Sequence, residues 1–272
     1  MIMSLAGLLL ALASAGEKPS VPYADLHLHI AAHLAMPLAY GPGPLRAPPV
    51  KKPLRWDDMW RQQMYPKFLR DSGAQLVVSG AYVLGHDIKS GHARKKIRQQ
   101  LDFMKAYAKK HSDWFEIAFT PTQARKIIAS GRTAIVLALE GAAGALYDEF
   151  DARELAAQGV AMVTLIHLSD GEYGASSLVS GIPGWWLNPW GKLTNGLGFE
   201  RPGLSKRGAE AVRWLGDAGI MVDLNHMSSG AIQETLKLTR RLKIPPVFTH
   251  GYLAELVAHE NAISADQLVD VY

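Results

Sequence analysis

Short apolar segments alternate with amphipathic segments along most of the chain. The apolar segments are rich in Val, Ile, Leu and Ala, and such continuous apolar runs are typical of strands buried on both faces. Because helical periodicity follows most of them, the pattern predicts parallel βα units. Six strands are predicted, at residues 24–30, 75–84, 133–139, 159–168, 220–226 and 246–250.

Apolar residues at intervals of three and four predict the helices. The clearest example is 91–111, where Ile97, Leu101, Met104 and Ala108 follow helical spacing. Residues 31–55 and 170–203 are rich in Gly and Pro, so they are predicted to be long loops. Further helices are predicted at 56–70, 121–130, 152–158, 205–219, 229–242 and from residue 266 onward.

Polar residues occur where several predicted strands end. In the first strand, His27 and His29 are two residues apart, so both side chains point to one face, while Leu26 and Leu28 face the other. The remaining candidates follow later strands: Glu140, His167, His226 and His250. Convergence of strand ends on one face is the arrangement of a (β/α) TIM-type barrel. The predicted fold is therefore an α/β barrel with about six of the eight βα units present.

Four of these histidines and the carboxylate form a candidate metal-binding set: His27, His29, Glu140, His226 and His250. Imidazole is a common nitrogen ligand for zinc. Burying this many unpaired polar groups without a cation would be costly. Glu140 could bridge two metal ions about 3.5–4 Å apart. The alternative is that the histidines are structural and that Glu140 pairs with an inward Lys or Arg.

Composition narrows the chemistry further. The chain has 272 residues and no cysteine, which excludes disulfides, zinc-thiolate sites and a thiol nucleophile. The net charge of +4 is mild, and much of the excess lies on the predicted helix at 91–111. This distribution indicates a solvated helix face, so no nucleic-acid partner is expected. A single domain is predicted over residues 16–272.

Residues 1–15 have the pattern of a signal peptide. The segment Leu5–Ala13 is apolar but too short to span a bilayer, and Ala13-Ser-Ala15 fits a cleavage site. We expect export to the periplasm or the medium, and no transmembrane span. No Lys or Arg precedes the apolar segment, so a misassigned start codon stays open as the alternative.

Three segments resemble the membrane (renal) dipeptidases of the amidohydrolase superfamily. Residues 203–228, which contain Asp223-Leu-Asn-His226, resemble the helix and strand that end in Asp-x-Ser-His in that family. The runs Val163-Thr-Leu-Ile-His167 and Pro246-Val-Phe-Thr-His250 are similar to its Leu-Thr-x-x-His and Pro-x-x-x-Ser-His strands.

The resemblance implies a barrel that binds two divalent ions, expected to be zinc. It implies that His27 and His29 bind the first ion, that Glu140 bridges, and that His226 and His250 bind the second. By the same resemblance, the catalytic residue His167 contacts the substrate carbonyl. The implied reaction is hydrolysis of a dipeptide or similar small amide by a metal-activated hydroxide. Whether the protein forms a homodimer is left open.

The chain departs from the family pattern in three ways. His29 stands where the family has Asp, and the region Ala258–Asn261 lacks the Arg that grips the substrate carboxylate. The last strand of the family, with its proton-accepting Asp, is expected to lie beyond Tyr272, so the C-terminal strands are predicted to be missing. Hydrolysis of a lactone, phosphoester or N-acyl amino acid therefore stays open, as does an inactive truncated fragment.

Overall fold

The computed structural model describes residues 22–36, 64–179, 181–199, 201–257, 259, 262–269 and 271. The predicted signal peptide at 1–15 lies outside the described residues. Most of the predicted loop at 31–55 and the first part of the predicted helix at 56–70 also lie outside them.

The described residues contain nine strands and eleven helices. The strands are β1 (Ala24–Leu28), β2 (Leu76–Tyr82), β3 (Phe115–Ile117), β4 (Thr133–Glu140), β5 (Val160–Thr164), β6 (Met221–Asp223), β7 (Pro246–Val247), β8 (Tyr252–Leu253) and β9 (Ala262–Ile263). The helices are α1 (Ala32–Ala35), α2 (Pro66–Asp71), α3 (Gly85–Lys89), α4 (Ala93–Lys110), α5 (Pro121–Ala129), α6 (Glu149–Ala157), α7 (Gly181–Leu187), α8 (Pro189–Gly196), α9 (Lys206–Asp217), α10 (Ser229–Leu242) and α11 (Ala265–Leu268).

The chain divides into two compact units. The first contains Met1–Leu84 and Lys95–Ala138, and the second contains Gly85–Arg94 and Leu139–Tyr272. Strand β4 begins in the first unit and ends in the second. The single domain expected over 16–272 stays a prediction.

In the first unit, the strand order is β1-β2-β4, and β3 also pairs with β4. The pairings β1–β2 and β3–β4 are parallel. Six of the seven residues of β2 are buried, as are five of the six β4 residues in this unit. Burial on both faces explains why these segments read as continuous apolar runs.

In the second unit, the end of β4 is followed by β5, β6 and β7 in sheet order. The pairings β5–β6 and β6–β7 are parallel, and so is the separate pair β8–β9. Helix α9 begins after Ser205, whose hydroxyl accepts a hydrogen bond from the Gly208 backbone N–H. This is the N-cap that the sequence predicts.

The structure confirms the predicted parallel βα arrangement but differs from the prediction in several places, one of which is the short helix α1 within the segment 31–55 predicted as a loop. The segment 170–203 was expected to be a loop, but it contains α7 and α8. Their exposed apolar side chains leave no buried face with helical spacing. Strand β3 was not predicted because it has only three residues with Glu116 in the middle. Strand β5 ends at Thr164 rather than near residue 168.

No helix within the described parts of the chain combines the length and the apolar character needed to cross a membrane.

Candidate metal centre

In the first unit, a histidine pair lies at the end of β1. The imidazole rings of His27 and His29 are 4.7 Å apart between centroids and nearly perpendicular. The register with β2 shifts between Asp25 and Leu28, so β1 contains one extra residue at this point. Such a bulge re-aims side chains locally. The two histidines therefore approach each other, as their spacing predicts.

One of the two rings has a defined tautomer. The Nδ1 atom of His29 lies 2.8 Å from the carbonyl oxygen of Gly80. Because a carbonyl oxygen can only accept, Nδ1 carries the proton and Nε2 keeps its lone pair. His29 is 6% exposed, and the backbone N–H of Ile30 donates to the hydroxyl of Ser79 at 3.1 Å. In a neutral ring this arrangement leaves Nε2 of His29 as the atom that could bind a metal ion.

In the second unit, Glu140 ends β4 and is 4% exposed. The chain turns directly after it at Gly141, whose φ of +88° favours glycine. The Glu140 Oε1 atom lies 2.9 Å from Nε2 of His226 and 3.5 Å from Nε2 of His250. A buried carboxylate therefore faces two imidazole nitrogens.

The two histidines of this cluster come from the loops after β6 and β7. Their Nε2 atoms are 2.9 Å apart. His226 has a left-handed backbone with φ of +64°, which is uncommon for a residue with a side chain. Strain of this kind persists where the surrounding structure fixes it, and it is concentrated at functional sites.

His167 lies beside the cluster but outside any strand. Its Nε2 atom is 3.6 Å from Oε1 of Glu140, and its ring centroid is 4.7 Å from that of His226. The strand was predicted to reach this residue, but β5 ends three residues earlier. The backbone beyond β5 still follows β4, since Ala142 N–H donates to the Leu165 carbonyl at 3.2 Å.

The cluster fits a divalent cation. Ligand atoms of Glu140, His226 and His250 all lie within 4.8 Å of one another. A tetrahedral zinc ion with bonds near 2.0–2.1 Å holds neighbouring ligands roughly 3.3 Å apart. With both imidazoles in the neutral form, a cation between them could accept a lone pair from each ring and from the carboxylate.

Sequence reasoning missed the polar residues that hold these side chains. Asp223, Asn225 and Thr249 form a partly buried hydrogen-bond network next to His226 and His250. The available signal was their position one to three residues before a predicted ligand. Periodicity alone gives them no distinguishing mark.

A parallel α/β fold with carboxylate and histidine side chains at strand ends is the arrangement found in metal-dependent hydrolases of barrel type. The family described as membrane dipeptidase (peptidase family M19) matches residues 57–272. The chain belongs to this family.

Relatives and solved structures agree with this assignment. Dipeptidase verJ of Clonostachys rogersoniana is 28% identical over 173 residues, which are 64% of this chain and 39% of that protein. The probable dipeptidase PvdM from Pseudomonas aeruginosa has a TM-score of 0.65 at 20% identity, over 98% of this chain and 59% of that one. At this identity the similarity to PvdM shows the fold alone, and the fold of such neighbours is the TIM barrel.

A second solved structure was determined with a ligand. A metallo peptidase from Rhodobacter sphaeroides, liganded with a phosphinate mimic of the dipeptide L-Ala-D-Ala, has a TM-score of 0.61 at 16% identity. The match covers 92% of this chain and 71% of that one. By contrast, this chain spans only about two fifths of verJ, and 29% of an uncharacterized dipeptidase from Schizosaccharomyces pombe.

Proposed function

We propose that this chain carries the metal-binding part of a dipeptidase that hydrolyses a small peptide or similar amide with two divalent ions. The convergence of Glu140, His226 and His250 in a dipeptidase-family chain is the observation that carries this proposal. Zinc is the proposed metal, because the candidate ligands are four imidazoles and a carboxylate with no thiolate.

The proposed ligands fall into two sets. His27 and His29 bind one ion, and Glu140, His226 and His250 bind the other. The first set is supported by ring proximity and by the hydrogen bond at Nδ1 of His29, which makes Nε2 the metal-binding atom of a neutral ring. The second is supported by the separations of the ligand atoms. Bridging of both ions by Glu140 stays a prediction from the resemblance.

When bound, such ions supply a nucleophile at neutral pH by lowering the pKa of water. The residues of the chain hold and orient the reactants. Glu140 contributes the negative charge that offsets the cations. His167 stands 3.6 Å from that carboxylate, beside the ligands, where its imidazole can donate to a carbonyl oxygen as negative charge develops there. Its proposed role is therefore stabilisation of the transition state.

A substrate panel tests the proposed reaction. Purified protein with zinc would be assayed on L,L- and L,D-dipeptides, N-acyl amino acids, a lactone and a phosphoester. We expect dipeptide hydrolysis that is abolished by chelation and restored by zinc. Hydrolysis of another class in preference to dipeptides would overturn the substrate assignment while leaving the metal site intact. No hydrolysis of any substrate by zinc-loaded protein would favour the inactive-fragment alternative.

We also propose that the protein is exported, on the strength of the apolar segment Leu5–Ala13 and the small residues that follow it. The mature protein should begin near Gly16. N-terminal sequencing of protein from its native host tests this, and a mature form that begins at Met1 or Met3 would contradict it. Light scattering of the same material would decide between monomer and homodimer.

A further inference from the structure

A buried carboxylate is linked to the imidazole of His250 through the Thr249 hydroxyl, which lies at Nδ1, whereas Nε2 faces Glu140. Asp223 is the last residue of β6 and is 2% exposed. Its Oδ2 atom accepts from the hydroxyl of Thr164 at 2.8 Å and from the hydroxyl of Thr249 at 2.7 Å. Its Oδ1 atom accepts from the backbone N–H of Asn225 at 3.2 Å. The carboxylate is thus held by groups from three consecutive strand ends.

The single proton of the Thr249 hydroxyl has three possible acceptors within reach: Oδ2 of Asp223 at 2.7 Å, Nδ1 of His250 at 2.8 Å when that atom is unprotonated, and Oδ1 of Asn225, which already has two donors. The Asn225 Oδ1 atom, 3.1 Å away, accepts from the backbone N–H of Thr249 at 2.6 Å and from that of His250 at 2.9 Å. The Asp223 carboxylate is the closest of the three acceptors, and hydrogen bonds to charged acceptors are stronger than those to neutral ones. The Thr249 proton therefore points to Asp223.

This assignment determines the protonation of the next group. The Nδ1 atom of His250 lies 2.8 Å from the Thr249 oxygen. With its proton given to Asp223, that oxygen can only accept, so Nδ1 of His250 must carry a proton. In the neutral ring, Nε2 is then left with a lone pair, and Nε2 is the atom that faces Glu140 and His226.

We infer that Thr249 and Asp223 form a relay that holds His250 in the Nδ1–H tautomer, with Nε2 aimed at the metal. Thr249 is a positioning residue that acts through His250. The relay rests on the proposed function, because it serves the second metal site. Outer contacts of this kind fix ring orientation and raise ligand basicity, and their loss typically weakens metal binding roughly 10–100-fold. The side chain of Asn225 supports the relay by fixing the backbone of both residues.

Three variants of the full chain test the relay. Thr249→Val removes the hydroxyl at nearly constant shape, and Thr249→Ser keeps it. Thr239→Val is the control, because that hydroxyl is buried, unlike the half-buried Thr249, and donates only to backbone carbonyls within α10. Zinc affinity would be measured by competition with a chelator, without any activity assay.

At the second metal site, we expect Thr249→Val to bind zinc roughly 10–100-fold less tightly than the parent does. Thr249→Ser and Thr239→Val should match the parent. Parental affinity in Thr249→Val would overturn the relay alone, because the metal site would then be intact without it. A Thr249→Ser protein as weak as Thr249→Val would also overturn it, since the hydroxyl would not be the active group.

A second measurement needs neither a variant at Thr249 nor a metal. Long-range ¹H–¹⁵N spectra of the metal-free parent distinguish the two tautomers of a neutral imidazole, with the His250 signals assigned by their loss in His250→Asn. The relay requires the Nδ1–H form. Observation of the Nε2–H form would overturn it. A parent that binds no zinc would contradict the proposed function, while this spectrum would still decide the relay.

Discussion

At the scale of single residues, the space between Gly141 and His167 is too small for a side chain. The φ of Gly141 is +88°, and a Cβ atom at this position would lie 3.1 Å from Cβ of His167. Gly141→Ala should therefore strain the backbone by about 1–3 kcal/mol and displace the imidazole. Because small misplacements of a reacting group cost rate steeply, we expect dipeptide hydrolysis to fall on the order of 10–100-fold with zinc content unchanged.

Gly131→Ala is the matched control for this substitution. Gly131 has a similar φ of +81°, but a Cβ atom there would meet nothing within 4 Å. The control should lose comparable stability in thermal denaturation and keep its rate. Equal rates in the two variants would mean that contact with His167 has no effect on catalysis.

His33 provides a residue-scale test of pH dependence. Burial lowers the pKa of its imidazole, which packs against the ring of Phe103 at 4.7 Å. The unfolded chain therefore takes up this proton more readily than the folded one, and the free energy of unfolding decreases as the pH falls below about 6.5. His33→Phe should reduce the difference in urea unfolding free energy between neutral and mildly acidic solution. If this difference in unfolding free energy is unchanged in His33→Phe, His33 is not the cause of the pH dependence.

The sequence predicts the residue types of the candidate site but not their supports. Histidines and a carboxylate after apolar strands are visible in the order of the chain, as at Glu140 and His250. The contact between Asp223 and Thr249 joins residues 26 positions apart. It depends on the β6–β7 register, which periodicity does not determine. The left-handed backbone of His226 is likewise set by tertiary contacts.

At the scale of elements, local signals define the helix ends well. Ser205→Ala removes the hydroxyl that accepts from Gly208 N–H at the start of α9, and it should cost about 1 kcal/mol in free energy of unfolding. Chemical denaturation of the variant measures this. Ser112→Ala, at an exposed turn position, is the control and should change little. Equal effects of the two substitutions would show that the cap contributes nothing.

The features that sequence reasoning missed are those that local periodicity does not show. Helices α7 and α8 expose Trp186 and Trp190 at 84% and 74%, so their apolar residues do not mark a buried face. The bulge in β1 comes from its pairing with β2, a non-local contact. By contrast, α4 and α10 lie within a residue or two of their predicted ends, because their periodicity is local.

At the scale of the whole molecule, metal binding should raise stability. Any ion that binds only the folded state adds RT ln(1 + [L]/Kd), which is about 2.7 kcal/mol at one hundred times the Kd. We expect zinc at this excess over the Kd of the site formed by Glu140, His226 and His250 to raise the free energy of unfolding by that amount through this site. His250→Ala should lose this contribution and keep any contribution from an ion at His27 and His29. A gain as large in His250→Ala as in the parent would show that His250 does not hold a stabilising ion.

The central claim is that Glu140 is a metal ligand, whereas His167 contacts the substrate. Metal content per chain tests this most directly, measured by elemental analysis of the parent, Glu140→Gln and His167→Ala after extensive dialysis against metal-free buffer. Glu140→Gln replaces the negative ligand by a neutral one, so repulsion of the cations is no longer offset. We predict two ions in the parent and in His167→Ala, and the loss of at least one in Glu140→Gln. Retention of both ions by Glu140→Gln, with loss of metal from His167→Ala, would contradict the account.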